Sequence, residues 1–174
     1  MSREDKSVHI IITGSRQAGI SSFISQMEND REKVDEIGMG IDIQSTSLFL
    51  NGSEIFVFFY EIAGPFPIDS LTKILRKKNL GLAVMFDLSN TVSFEMADML
   101  YRQVAEKIGD RMPKFRFLLG SHLDLERDVN QDSIDALLDF MGPDAAYREF
   151  SAKSKENLVE TMEYVVRTIL EQEG

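Results

Sequence analysis

Residues 8–13, Val8-His9-Ile10-Ile11-Ile12-Thr13, form a short β-branched run closed by Gly14, the pattern of a strand buried on both faces in a parallel sheet. Residues 21–29 then set Phe23, Ile24 and Met27 near one helical face, so a strand, a glycine-bounded loop and a helix open the chain. Residues 30–40 are polar and then glycine-bearing at Gly38 and Gly40, which predicts a loop. Strand-like runs over 41–50 and 55–60 flank Asn51-Gly52, a dipeptide that tolerates positive φ at both positions and predicts a type I′ hairpin. Ala63-Gly64-Pro65-Phe66-Pro67 breaks the chain, and residues 68–78 carry Ile68, Leu71, Ile74 and Leu75 at helical spacing. Further on the pattern predicts strands over 80–88, 115–119 and 146–150, and helices over roughly 92–108, 131–141 and 156–171.

The sum is six strands and five helices. Alternation of the two implies parallel pairing through right-handed crossovers, with the hairpin contributing one antiparallel strand. The expected fold is thus a three-layer α/β domain: a six-stranded, mostly parallel sheet with helices on both faces. Ligands in such sheets bind at the carboxyl ends of the strands. A length of 174 residues fits one domain over residues 1–174.

Composition narrows the chemistry. No cysteine is present, which excludes disulfides, thiolate metal sites, thiol catalysis and prenylation of the chain as it stands. A net charge of −10 argues against nucleic acid and against a broad anionic-lipid surface, leaving Arg76-Lys77-Lys78 as the main basic cluster, at a helix end where cations suit the dipole. No apolar run is long enough to span a membrane, and the charged N-terminus does not read as a secretion signal, so a cytoplasmic location is expected, with membrane association only through a partner or a missing tail. His9, inside an apolar strand, reads as a satisfied structural histidine; the acidic clusters read as solvated charge; the nine methionines read as core filler or adaptable contact surface.

Gly14-Ser15-Arg16-Gln17-Ala18-Gly19-Ile20-Ser21 lies where a strand passes into a helix, and it fits G-x-x-x-x-G-K-[ST] except at Ile20, where the lysine belongs. In that pattern the backbone N–H groups cradle phosphates whatever the lysine does, and Ser21 could ligate Mg²⁺. Loss of the lysine removes the mobile cation on the terminal phosphates, a change worth roughly 2–5 kcal/mol. Arg16 could lend a charge within the loop. By itself the string is equally well a tight strand-to-helix turn.

Five further segments, in order, resemble the Ras superfamily and its Rab branch in particular. Gly38-Met39-Gly40-Ile41-Asp42 through Asn51-Gly52 is similar to T-I-G-[VI]-D running to a D-G turn, with Gly38 at the first-switch threonine. Tyr60-Glu61-Ile62-Ala63-Gly64-Pro65-Phe66 resembles W-D-T-A-G-Q-E, with Glu61 for aspartate and Pro65 for glutamine. The passage from Phe86 to Glu95 matches Y-D-[IV]-[ST]-x-x-x-S-F-E, Leu119 to Leu125 resembles G-N-K-x-D-L with Ser121 and His122 replacing asparagine and lysine, and Ser151-Ala152-Lys153 matches S-A-K.

The resemblance implies GTP or GDP as cofactor, with Mg²⁺, and assigns nucleotide contacts to Gly14, Arg16, Ala18, Gly19, Ser21, Ser22, Gly64, His122, Asp124, Ser151, Ala152 and Lys153; Ser21 is also the implied magnesium ligand. Asp124 stands where the family's aspartate accepts from guanine, and Ala152 where an N–H donates to its carbonyl. His122 could stack on a purine or be a plain surface-loop residue. Gly38 offers no side-chain ligand and Pro65 has neither the amide nor the N–H to position water, so no catalytic residue and no efficient GTPase activity are expected. The implied protein is an atypical, Rab-like pseudo-GTPase that serves as an interaction module in trafficking or signalling. Its effectors or scaffolds would be met through loops 30–42 and 61–72, where Phe66 and Ile68 are either exposed anchors or buried supports. The alternatives are a genuine GTP/GDP switch with slow or partner-assisted hydrolysis, and a half of a larger protein that docks on a competent neighbour.

Overall fold

A computed structural model describes residues 6–26, 32–34, 41–62 and 68–171, with the side chains of 32–34 and 68 left aside. Seven strands and five α-helices follow in the order β1 (Ser7–Gly14), α1 (Ile20–Ser25), β2 (Glu32–Val34), β3 (Ile41–Leu50), β4 (Ser53–Ile62), α2 (Ile68–Leu75), β5 (Leu80–Asp87), α3 (Thr91–Ile108), β6 (Phe115–Ser121), α4 (Gln131–Met141), β7 (Ala145–Glu149) and α5 (Leu158–Glu171). Single 3₁₀ turns occupy Arg16–Ala18 and Gly109–Arg111. They build one sheet in the order β2-β3-β4-β1-β5-β6-β7, in which β3 runs antiparallel to both its neighbours and the other pairings are parallel.

The six expected strands are all present. The seventh, β2, lies in the stretch read as loop: three residues, two of them charged, carry no legible alternation, and only pairing with β3 makes them a strand. Asn51 and Gly52 take φ of 50° and 77°, both positive as a type I′ hairpin requires, and Leu50 pairs with Ser53 across the turn. The described part of the first helix runs over Ile20–Ser25, residues 27–29 of its expected span lying outside the described residues, and α2 is shorter than its apolar spacing predicts, ending at Leu75. For α2 the stop has a clear cause. Asn79 takes φ 55°, donates from Nδ2 to the Ser7 carbonyl at 3.0 Å and accepts the His9 N–H at 2.9 Å, so the turn belongs to the start of β1.

The helices cover both faces of the sheet. On one, α5 lays Leu158, Met162, Val165, Val166 and Ile169 against Phe117, Phe150 and the α1 residues Phe23 and Ile24. On the other, α2, α3 and α4 bury Leu71, Ile74, Phe94, Tyr101, Ile134 and Leu137 over Ile11, Val84 and Phe86. Each such side chain contributes about 1.5–3 kcal/mol on burial. All eight residues of β5 are buried, which is why its sequence reads as an unbroken apolar run. The carboxyl ends of β1, β5 and β6 finish side by side, Gly14 beside Met85 and Asp87 beside Ser121.

Candidate nucleotide site

The loop after β1 is held by its neighbours. A Cβ on Gly14 would lie 2.3 Å from the Met85 carbonyl oxygen, so only glycine lets the chain leave the strand this close to β5. Ser15 Oγ meets Ser93 Oγ at 2.6 Å, and Ser93 Oγ accepts the Asp87 N–H at 2.9 Å. Gln17 Oε1 accepts from Asn90 Nδ2 at 2.8 Å, while Asn90 Oδ1 caps α3 by accepting the Ser93 N–H at 3.2 Å. The loop is therefore tied to the start of α3. Within it the Ala18 N–H donates to the Ser15 carbonyl at 3.1 Å, and Gly19 takes φ 81° before α1 begins.

Ile20 is only 6% exposed and packs into the α1–α5 core, so an apolar side chain turned inward stands where the pattern calls for a cation. Arg16, Ser21 and Ser22 are exposed. With Gly14, Gly19 and Ile20 they line a cavity of about 430 Å³ completed by Ser15, Glu61, Ile62, Met96 and Leu100. Burial first, and the Asp42 carboxylate paired across the hairpin second, push the Glu61 carboxyl above its ordinary range. Ser15, Ser21, Ser22 and Glu61 are the oxygen-bearing side chains of this lining. Much of the remaining lining is apolar, and no group of three or more His, Cys, Asp or Glu that could hold a metal occurs among the described residues.

A second cavity, about 310 Å³, is lined by Ala18, Gly19, Ser22, His122, Asp124, Ala152 and Lys153 together with Gln26, Ser121 and Phe150. Ser151, fully buried, donates to Asp124 Oδ1 at 2.6 Å and accepts the Ser154 N–H at 3.0 Å, which fixes the carboxylate to the loop after β7. That hydrogen bond chiefly, with help from its own backbone N–H and then from the His122 and Lys153 side chains, holds the Asp124 carboxyl below its ordinary range. Leu123 N–H to the Phe150 carbonyl (3.1 Å) and Phe150 N–H to the Gly120 carbonyl (2.9 Å) knit the two loops together. A carboxylate and a lysine around a cavity of this size suit the hydrogen-bonding edge of a purine base.

Eleven of the twelve residues expected to contact nucleotide thus fall at the carboxyl ends of β1, β6 and β7, ten of them lining the two adjoining cavities and Ser151 supporting Asp124 from behind. Gly64, and with it Gly38, Pro65 and Phe66, lies outside the described residues. Ser15, Gln26, Ser121, Phe150, Met96 and Leu100 were not among those expected. Ser15 and Ser121 carried a signal, their places in the G-x-x-x-x-G and G-N-K-x-D-L matches: Ser121 Oγ donates to the Ala18 carbonyl at 2.6 Å, with the Phe86 carbonyl at 3.0 Å, so the loops stay tied without an asparagine. A roomier cavity at the β7 edge, about 650 Å³, is lined by Arg127 and Glu149, already paired at 2.6 Å.

The sequence profile of the Ras family matches residues 9–171. This chain belongs to the Ras family. Members of the family generally bind GTP or GDP with magnesium and act through effector proteins. The Ras-family chain is 29% identical over 99% of its length to EF-hand calcium-binding domain-containing protein 4B of Homo sapiens, and 27% identical over 94% to the Ras and EF-hand domain-containing protein homolog of Mus musculus. It spans 23% and 27% of the lengths of those two proteins. It is 23% identical to GTP-binding protein ypt2 of Schizosaccharomyces pombe over 97% of the chain and 84% of that protein. Among the described residues, no helix is long and apolar enough to cross a membrane.

Proposed function

We propose that this chain is an atypical Ras-family domain that recognises a guanine nucleotide chiefly by its base, binds phosphates weakly, hydrolyses GTP slowly or not at all, and serves as a protein-interaction module. The observation that carries the reading is the contrast between the two cavities. Asp124 is braced by Ser151 beside Lys153, whereas Ile20 gives its side chain to the core. A base site satisfied by hydrogen bonds discriminates strongly among bases. Phosphoryl chemistry, by contrast, depends almost wholly on positioned charge. The likeness to proteins named for both Ras and EF-hand domains supports a domain working as part of a larger assembly, in trafficking or signalling, with effectors or scaffolds met through loops 30–42 and 61–72.

Arg16 favours a second reading, a genuine GTP/GDP switch with partner-assisted hydrolysis, because it is an exposed cation on the rim of the phosphate-side cavity. Extraction of nucleotide from the purified protein, followed by titration of labelled GTP, GDP and ATP with and without magnesium and a turnover assay, separates the two. The proposal expects guanine preference, little dependence on magnesium and negligible turnover. Tight magnesium-dependent GTP binding with turnover overturns it in favour of the switch, and absence of all guanine binding overturns the nucleotide part of both.

A further inference from the structure

His122 lines the base cavity and takes φ 60°, an uncommon backbone state for a non-glycine residue. Its ring is fixed from behind. Nδ1 lies 2.9 Å from Ser121 Oγ and 3.4 Å from Oδ1 of the buried Asp87 carboxylate, which also accepts from Ser89 N–H and Oγ. Ser121 Oγ has two carbonyl oxygens within reach, Ala18 at 2.6 Å and Phe86 at 3.0 Å, and carries one hydrogen. Carbonyls cannot donate, so the Ser121 hydrogen is committed to them and the contact with the imidazole must be an Nδ1–H donated to the Ser121 oxygen. Asp87, an acceptor, demands the same. In the neutral ring, a hydrogen on Nδ1 leaves Nε2 as a bare acceptor. Among the described residues nothing hydrogen-bonds Nε2. The ring edge reaches Gly19, with Cε1 3.7 Å from where a Cβ would stand, so it bridges the base cavity and the loop.

We propose that Ser121 and Asp87 lock His122 as the Nδ1–H tautomer, making Nε2 a hydrogen-bond acceptor that reads an N–H or O–H donor on the nucleoside part of the ligand. The inference rests on the guanine-binding reading above and sharpens it. A position that a lysine would fill with a donor has become an acceptor, so part of the affinity comes from the nucleoside and is independent of phosphate.

Histidine ¹⁵N shifts of the free protein at neutral pH test the lock without any ligand: an Nδ1–H, bare-Nε2 pattern for His122 is expected, and either the opposite tautomer or a doubly protonated ring overturns the proposal. Guanosine titration then tests the readout. His122→Phe keeps a ring and removes the acceptor, and it should weaken guanosine about 2- to 10-fold while leaving the circular dichroism spectrum unchanged. Repeating the comparison with 2′,3′-dideoxyguanosine locates the donor: a penalty that persists assigns it to the base or the 5′-hydroxyl, one that vanishes assigns it to the 2′- or 3′-hydroxyl, and both support the role. Equal guanosine affinity in the folded variant overturns the readout while the guanine-binding reading stands. Failure of every guanine compound to bind the native protein removes that reading and the proposal with it.

Discussion

Ile20 and Asp124 carry opposite outcomes at neighbouring positions of one site. The isoleucine is fixed by the apolar contacts of α1, and the carboxylate is fixed by Ser151, so each is held by what lies behind it rather than by the cavity it borders. Ile20→Lys tests the phosphate side directly. Its stem can follow the isoleucine's path before the ammonium seeks the cavity. GTP affinity should rise about 30-fold or more, at a stability cost of roughly 1–3 kcal/mol for the lost packing. Isothermal titration of the variant reads the first and chemical denaturation the second; an unchanged GTP affinity in a folded variant means that the backbone cradle itself does not accept phosphates. At this scale the sequence was informative for side chains that match a motif, and silent about Gln26 and Phe150, which enter the base cavity only because α1 and the end of β7 converge there.

Among the elements, α3 does two jobs. Its inner face buries Phe94, Ala97, Tyr101, Val104 and Ile108, as the helical spacing predicts, whereas Leu100, set toward the core by the same spacing, is half-buried and lines the cavity beside Met96. Its first residue positions also hold the phosphate loop: Asn90 both caps the helix and donates to Gln17, and Ser93 joins Ser15 to the Asp87 backbone. Asn90→Ala should therefore cost about 1 kcal/mol from the lost cap and, unlike an ordinary cap substitution, loosen residues 15–18. Faster amide exchange at Arg16 to Ala18 together with a lowered denaturation midpoint is the expected result; a lowered midpoint with unaltered exchange in the loop argues that the Gln17 contact is idle. The spacing S-F-E that matched the Rab pattern carries no chemistry in itself, and the structure gives Ser93 a structural use.

For the molecule as a whole, stability should depend on pH through His9, far from the nucleotide cavities. It stacks on Phe58 with ring centroids 5.2 Å apart and meets the Tyr60 hydroxyl from Nδ1 at 2.9 Å. Burial, aided by the Lys77 charge, lowers its pKa from 6.5 to about 4. The unfolded chain therefore takes up a proton below 6.5 that the folded chain refuses until about 4, and stability falls with pH across that interval. Thermal midpoints of the native protein and His9→Gln should converge as pH drops through it; parallel curves would remove His9 as the cause. The six strands, five helices, type I′ hairpin and Ras-family resemblance were legible in the sequence because buried parallel strands, amphipathic helices and Asn-Gly turns each follow from local period and local φ preference. Tertiary structure alone decided the rest. Pairing with β3 made β2 a strand, core packing drew Ile20 inward, and the convergence of Ser121, Asp87 and His122 fixed a proton on one ring nitrogen, because each depends on partners distant along the chain that no local pattern brings together.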